Sequence, residues 1–246
     1  MSDGQTIFVA FAGGILPAVL WLWFWRREDR RRPEPRGLIA LTFLAGMMAV
    51  PLVIPFQKIV ASAVLGGERV ELVARMDATT AILAMVLWAA IEEILKYGAA
   101  RLAALRRKDV DEPIDPVIYL ITAALGFSAL ENAMFILNPL LEQNPLVGII
   151  TGNLRFIGAT LLHVTSSAAV GVFLAFSFYK PRRVQRLYAA AGVILAVALH
   201  TVFNFSIIKS EGSKVFLAFS LVWLAVVILL AVLEKVKRVH PTAGGY

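Results

Sequence analysis

The chain has 246 residues, 59% of them hydrophobic, a net charge of +7 and no cysteine, and its mean hydropathy is +0.76. Soluble domains are about 45–50% apolar, so this composition indicates an integral membrane protein with no separate soluble domain. The absence of cysteine excludes disulfides, thiolate metal sites and cysteine nucleophiles. The positive charge falls in short loops between apolar runs, which is membrane topology and not a nucleic-acid signal.

Seven apolar segments follow one another at about 5–25, 38–57, 78–100, 115–137, 147–178, 187–208 and 214–234. A crossing needs about 20 residues, so each can span. The first is not expected to be a cleaved signal peptide, because "MSDGQT" lacks a basic n-region and no small-x-small site follows. Pro51 and Pro55 interrupt the second, which is expected to kink or end early. Residues 58–77, with Gly66-Gly67 and several charges, read as a loop or interfacial helix. The third is expected to run on to about Arg106. The fifth is overlong and must tilt or begin outside the hydrocarbon. The tail "HPTAGGY" reads as disordered.

Basic residues set the orientation. Arg26, Arg27, Arg30, Arg31, Arg32 and Arg36 crowd the first loop. Arg101, Arg106, Arg107 and Lys108 follow the third segment. Lys180, Arg182, Arg183 and Arg186 follow the fifth, and Lys235, Lys237 and Arg238 lie in the tail. These are alternate loops; the opposite ones hold Lys58, Arg69, Arg75, Lys209 and Lys214. The N-terminus is therefore expected outside and the C-terminus in the cytoplasm. The fold class is all-α, a polytopic helical bundle. Residues 1–77 are expected to form scaffold helices, 78–208 a four-helix catalytic core, and 209–246 a last helix and tail.

Segments one, two and seven carry no ionisable residue in their middles and read as lipid-facing scaffold. The third carries Glu92, Glu93 and Lys96; the fourth Glu131 and Asn132; the fifth Arg155 and His163; the sixth His200 and Asn204. A charge at the bilayer centre costs about 2.5–3.5 kcal/mol on insertion scales, so such residues face a bundle interior and are functional candidates. Helical spacing puts Lys96 beside both glutamates, Phe127 beside Glu131, His163 beside Ser167 and His200 beside Asn204. The bland alternatives are a structural ion pair for Glu93 and Lys96, packing for Asn132 and Ser167, and snorkelling to the interface for Arg155.

Several chemistries fail on particular residues. The last span has no lysine for a retinal Schiff base. No H-E-x-x-H occurs for a zinc protease. No span holds an aspartate pair. Gly126-Phe127-Ser128 is followed by Ala129, where a rhomboid-like G-x-S-G needs glycine. Glutamate, histidine and asparagine remain. A carboxylate can take a proton from water and make it a nucleophile toward an amide. Imidazole can position that water or protonate the leaving amine, and an asparagine amide can stabilise the oxyanion.

These residues also carry a resemblance. Glu92-Glu93-x-x-Lys96 resembles the E-E-x-x-K motif of the PrsW family of intramembrane proteases. Phe127 and Glu131 in "GFSALENAMF" are similar to its F-x-x-x-E motif, and "LLHVTSSAAVG" and "ALHTVFNF" resemble its two later histidine segments. In the wider superfamily of CAAX prenyl endopeptidases, His200-Thr-Val-Phe-Asn204 matches H-x-x-x-N. Ser167 stands where one written form of the family motif, H-x-x-x-D, has aspartate, so both histidines stay candidates for catalysis.

The resemblance implies a glutamate-type peptidase of the cell membrane, bacterial in kind, cutting membrane-anchored regulators such as anti-sigma factors. The expected partners are a single-span membrane protein and the lipid bilayer, with no nucleic acid. Glu92 is the expected general base, with Glu93 and Lys96 orienting it. Glu131, His163 and His200 complete the proton site, Phe127 supports it, and Asn204 is the oxyanion donor. No cofactor is required; the alternatives are a zinc-dependent variant, with His163, His200 and the glutamates as ligands, and a proton-coupled transporter. The cluster is expected to line one water-reaching cavity walled by Phe127, Phe203, Gly126, Ala129 and Ala159.

Overall fold

In hydrocarbon every backbone N–H and C=O must find an internal partner, and a chain this apolar meets that demand by forming helices. The computed structural model describes residues 2–29, 32–64, 66, 77–208 and 213–241. Among them every regular element is helical: α1 (Asp3–Trp25), α2 (Arg36–Val64), α3 (Ala78–Ala100), α4 (Asp115–Leu141), α5 (Pro145–Leu154), α6 (Thr160–Phe176), α7 (Arg182–Ile208) and α8 (Ser213–Val236). A π-helical turn, Arg101–Leu105, extends α3, and another, Arg155–Ala159, joins α5 to α6. Among the described residues seven helical stretches are long and apolar enough to cross a membrane. The expectations for residues 67–76 and for the tail beyond 241 lie outside the described residues.

Local sequence explains the helix starts. Ser2 and Gln5 form a reciprocal capping box on α1. Asp77 caps α3 by accepting from the Thr80 amide at 3.0 Å. Asn144 caps α5, whose first residue is Pro145. One expectation is corrected. Pro51 and Pro55 do not end α2, which runs through both for 29 residues; membrane helices tolerate proline because neighbours and local adjustments re-satisfy the freed backbone groups. The overlong fifth segment is one continuous stretch, Pro145–Phe176, with the π turn inside it. The third segment runs to Leu105, as its length suggested.

Burial ranks the helices. In α4 and in the α5–α6 stretch, 72% of the most apolar window is buried, against 17% in α1 and 28% in α8. Helix α4 is the central post. Helices α1 and α2 pack along it, α6 lies against it and carries α7 and α8, and α3 closes the gap between α2 and α7. The crossing of α2 and α4 depends on small residues: a Cβ on Gly126 would collide with the Phe43 carbonyl, and one on Gly46 with that of Ala123. Without a hydrophobic drive inside lipid, such close backbone approach is a main source of helix association.

The four basic loops meet at one end of the bundle. Lys237 pairs with Glu28 at 2.7 Å and Arg32 with Glu112 at 3.3 Å. Arg101, Arg106 and Arg107 share a cavity with Arg182 and Arg186. Beside them three carboxylates are buried, Asp29, Glu34 and Asp115. Asp115 Oδ2 accepts from the amides of Asp111 and Glu112, and the Tyr119 hydroxyl donates to Glu34.

Candidate active site

The polar residues of α3, α4, α6 and α7 converge. Glu93 Oε1 accepts from Lys96 Nζ at 2.6 Å and from His200 Nδ1 at 2.7 Å. Its second oxygen accepts from Ser167 Oγ at 3.3 Å. Lys96 Nζ also reaches His163 Nδ1, at 2.9 Å. An ammonium only donates, so Nδ1 of His163 is the acceptor and its Nε2–H donates to Glu131 Oε2 at 3.0 Å. All of Glu93, Lys96, His163 and His200 are at most 2% exposed. Phe127 packs against both ends of this chain, its ring 5.2 Å from that of His163 and 5.1 Å from Lys96 Nζ.

The same reasoning assigns His200. Its Nδ1–H donates to Glu93, leaving a lone pair on Nε2 in the neutral ring. That nitrogen faces Glu92 Oε2 at 3.7 Å, too far for a direct hydrogen bond. Glu92 is 6% exposed, and its Oε2 is buried with no hydrogen-bond partner. Its other oxygen accepts from Gln57 Nε2 at 3.0 Å. Two lone-pair atoms thus face each other, and a buried carboxylate oxygen normally finds a donor.

Several residues escaped the sequence reading. Gln57 comes from α2, read as plain scaffold, and is itself held by Trp88, whose indole N–H donates to its carbonyl at 3.3 Å. A glutamine within an apolar span was the available signal. Arg155 does not snorkel. It starts the π turn, pairs with Glu131, donates from Nε to Asn132 Oδ1 at 2.6 Å and stacks on Phe135 at 3.9 Å. Asn132 donates in turn to Ser128 and Thr160, so the packing expected of it is a defined network. Inward pairing wins because a carboxylate inside the bundle offers more than a partly hydrated interface. Asn204 is half-buried and, among the described residues, makes no hydrogen bond to the cluster.

The expected cavity wall is also corrected. Phe127 lies on the cluster, but Gly126 faces α2 and Ala129 faces α1, where its carbonyl would meet a Cβ on Gly14. Phe203 is buried and stacks edge-on against Phe219 at 6.1 Å. Those small residues serve helix crossings. The cluster is closed over, and its most open edge is the Glu131–Arg155 pair, whose side chains are 18% and 17% exposed.

The pattern that defines the PrsW family intramembrane metalloprotease matches residues 34–233. The chain is 26% identical over 208 residues to the Protease PrsW of Geobacillus kaustophilus (strain HTA426), covering 83% of this chain and 82% of that one. It is 23% identical over 196 residues to that of Clostridioides difficile (strain 630), covering 79% and 77%. With that of Bacillus subtilis (strain 168) it is 23% identical over 176 residues, covering 72% and 70%. No solved structure matches. All four motifs, from Glu92 to Asn204, fall inside the matched region, on four of the seven helical stretches long and apolar enough to span among the described residues. The chain belongs to the PrsW family of intramembrane proteases and is a multi-pass membrane peptidase.

Proposed function

We propose that the protein hydrolyses a peptide bond of a single-span membrane protein, a membrane-anchored regulator of the anti-sigma-factor kind, with a water activated by Glu92. The observation that carries this is the unpartnered Glu92 Oε2 facing His200 Nε2 at 3.7 Å inside the bundle. A water held by both atoms gives one proton to Glu92, and its oxygen forms a bond to the scissile carbonyl carbon. Collapse of the tetrahedral intermediate breaks the C–N bond. The proton taken by Glu92 goes to the leaving amine, with His200 beside it to hold the water and relay the charge. Glu93 fixes the His200 tautomer, and Lys96 neutralises Glu93. Asn204, one turn beyond His200, is the amide assigned to the oxyanion in this reading. The basic end of the bundle is the cytoplasmic one in this reading.

The family description implies a metal. Glu92, His163 and His200 each bring one donor atom within 4.8 Å of the others, which is what favours a zinc reading. The donor set does not fit it as arranged. Both nitrogens of His163 are engaged, one by the Lys96 ammonium and the other by Glu131. That leaves two open ligands where catalytic zinc takes three, with a fixed positive charge beside them. The test is proteolysis of a co-expressed single-span reporter by wild type and Glu92→Gln, followed by metal analysis of the purified protein. Cleavage by the Glu92→Gln protein at the wild-type rate would overturn the general-base role.

A further inference from the structure

A second site lies at the basic end. A cavity of about 580 Å³ opens between the end of α3, the start of α4, the end of α6 and the start of α7. Five arginines line it: Arg101, Arg106, Arg107, Arg182 and Arg186. Among the described residues no aspartate or glutamate contributes. Among the described residues none of the five forms an ion pair; Arg101 donates only to the Tyr97 hydroxyl, at 3.1 Å. The catalytic cluster is elsewhere. Arg101 is eight residues beyond Glu93 on α3, about 12 Å along the axis. A buried apolar layer that includes Ala100, Leu120, Val170 and Ala196 lies at the level between them.

Five like charges around one hollow repel each other, and an anion relieves them. Two belong to the first turns of α7, which has no acidic residue there. A helix N-terminus already carries partial positive charge, so cations there are unfavourable unless an anion is close. Guanidinium matches phosphate oxygens in a bidentate fork. The cavity volume is in the range of small-molecule sites. Its height is where membrane spans end, the level of lipid phosphates, and Leu174 and Phe178 give it an apolar flank. Basic pockets between spans at such a level suit phospholipid head groups. We propose that this cavity binds the phosphate of an anionic phospholipid and anchors the basic ends of α3 and α7, the two helices that farther along carry Glu92, Glu93 and His200.

The test uses the full chain in detergent, titrated with short-chain phosphatidylglycerol, short-chain phosphatidylcholine or inorganic phosphate, and read by melting temperature and native mass spectrometry. Phosphatidylglycerol is expected to raise Tm saturably and to give a one-to-one adduct, and phosphatidylcholine to do neither. Arg182→Gln with Arg186→Gln, both exposed and, among the described residues, without a hydrogen bond or ion pair, is expected to weaken that binding about tenfold or more. Lys235→Gln with Arg238→Gln, which removes equal charge at the same end, is expected to leave it unchanged. An equal response to both lipids, or an equal loss in the control pair, would overturn the site. Saturation by inorganic phosphate at the lipid's own concentration would reassign it to a soluble phosphate compound. Displacement of the lipid by an acidic peptide at equal concentration would reassign it to a protein partner. If the pocket variant folds poorly, the wild-type comparison of the three probes decides alone.

Discussion

Lys96 bridges Glu93 and His163, at 2.6 and 2.9 Å, and all three are buried between α3, α6 and α7. It therefore supplies the positive charge for a carboxylate that also holds His200. Lys96→Ala strands that carboxylate, and breaking a buried pair costs about 3–5 kcal/mol. The expected result is a large fall in Tm in detergent, poor expression and loss of cleavage. A stable and fully active Lys96→Ala protein would show that the bridge does not form.

Glu92 and Gln57 separate chemistry from positioning. Glu92→Gln keeps the shape and removes the base, so cleavage is expected to drop by about 100-fold or more with Tm nearly unchanged. Gln57→Leu removes only the amide that orients Glu92. The expected loss is about tenfold in kcat, equivalent to about 1.4 kcal/mol, with KM little affected. Equal losses in the two variants would argue that Gln57 acts on the substrate directly.

Metal dependence follows from the state of His163. With both its nitrogens engaged, the purified protein is expected to carry zinc well below one equivalent and to cleave the reporter after chelation. Stoichiometric zinc, lost together with activity and restored with it, would mean that Lys96 swings away from His163 in the working enzyme.

The crossing of α2 and α4 predicts a contrast between two glycines. Gly126→Ala drives a methyl into the Phe43 carbonyl and is expected to cost about 1–3 kcal/mol, read as a lower Tm. Gly98→Ala on α3 meets nothing within 4 Å and is expected to leave Tm unchanged or slightly raised, since alanine is the better helix former. Equal behaviour of the two would mean that the helices do not cross this closely.

The buried carboxylates at the basic end predict a pH dependence. Burial pushes the Glu34 carboxyl from 4.5 up to about 8, with Asp115 and Asp29 adding to the shift and the Tyr119 hydroxyl opposing it. Burial likewise raises Asp29 from 3.8 to about 6. The folded state thus binds protons more tightly than the unfolded one. That contribution is complete below about pH 4 and fades as pH rises through 6 and then 8. Tm is expected to fall across this window, and Glu34→Gln to flatten its upper part. A Tm that rises between pH 5 and 8 would contradict the burial of these groups.

The sequence by itself determined that this is a helical membrane protein with seven segments of crossing length, and which residues to watch. Both follow from the bilayer: apolar runs of crossing length are legible in one dimension, and a charge inside one is costly enough to stand out. Only the tertiary structure decided who pairs with whom. Glu93 and His200 are 107 residues apart, Gln57 is an uncharged residue at the end of a segment that reads as scaffold, and Arg155 turns inward from a π turn. Helix periodicity fixes which residues share a face, but the rotation and height of one helix against another come from packing, from contacts such as Gly126 on Phe43. The five arginines of the second cavity read as a topology signal for the same reason. Their convergence on one hollow exists only once α3 and α7 lie side by side.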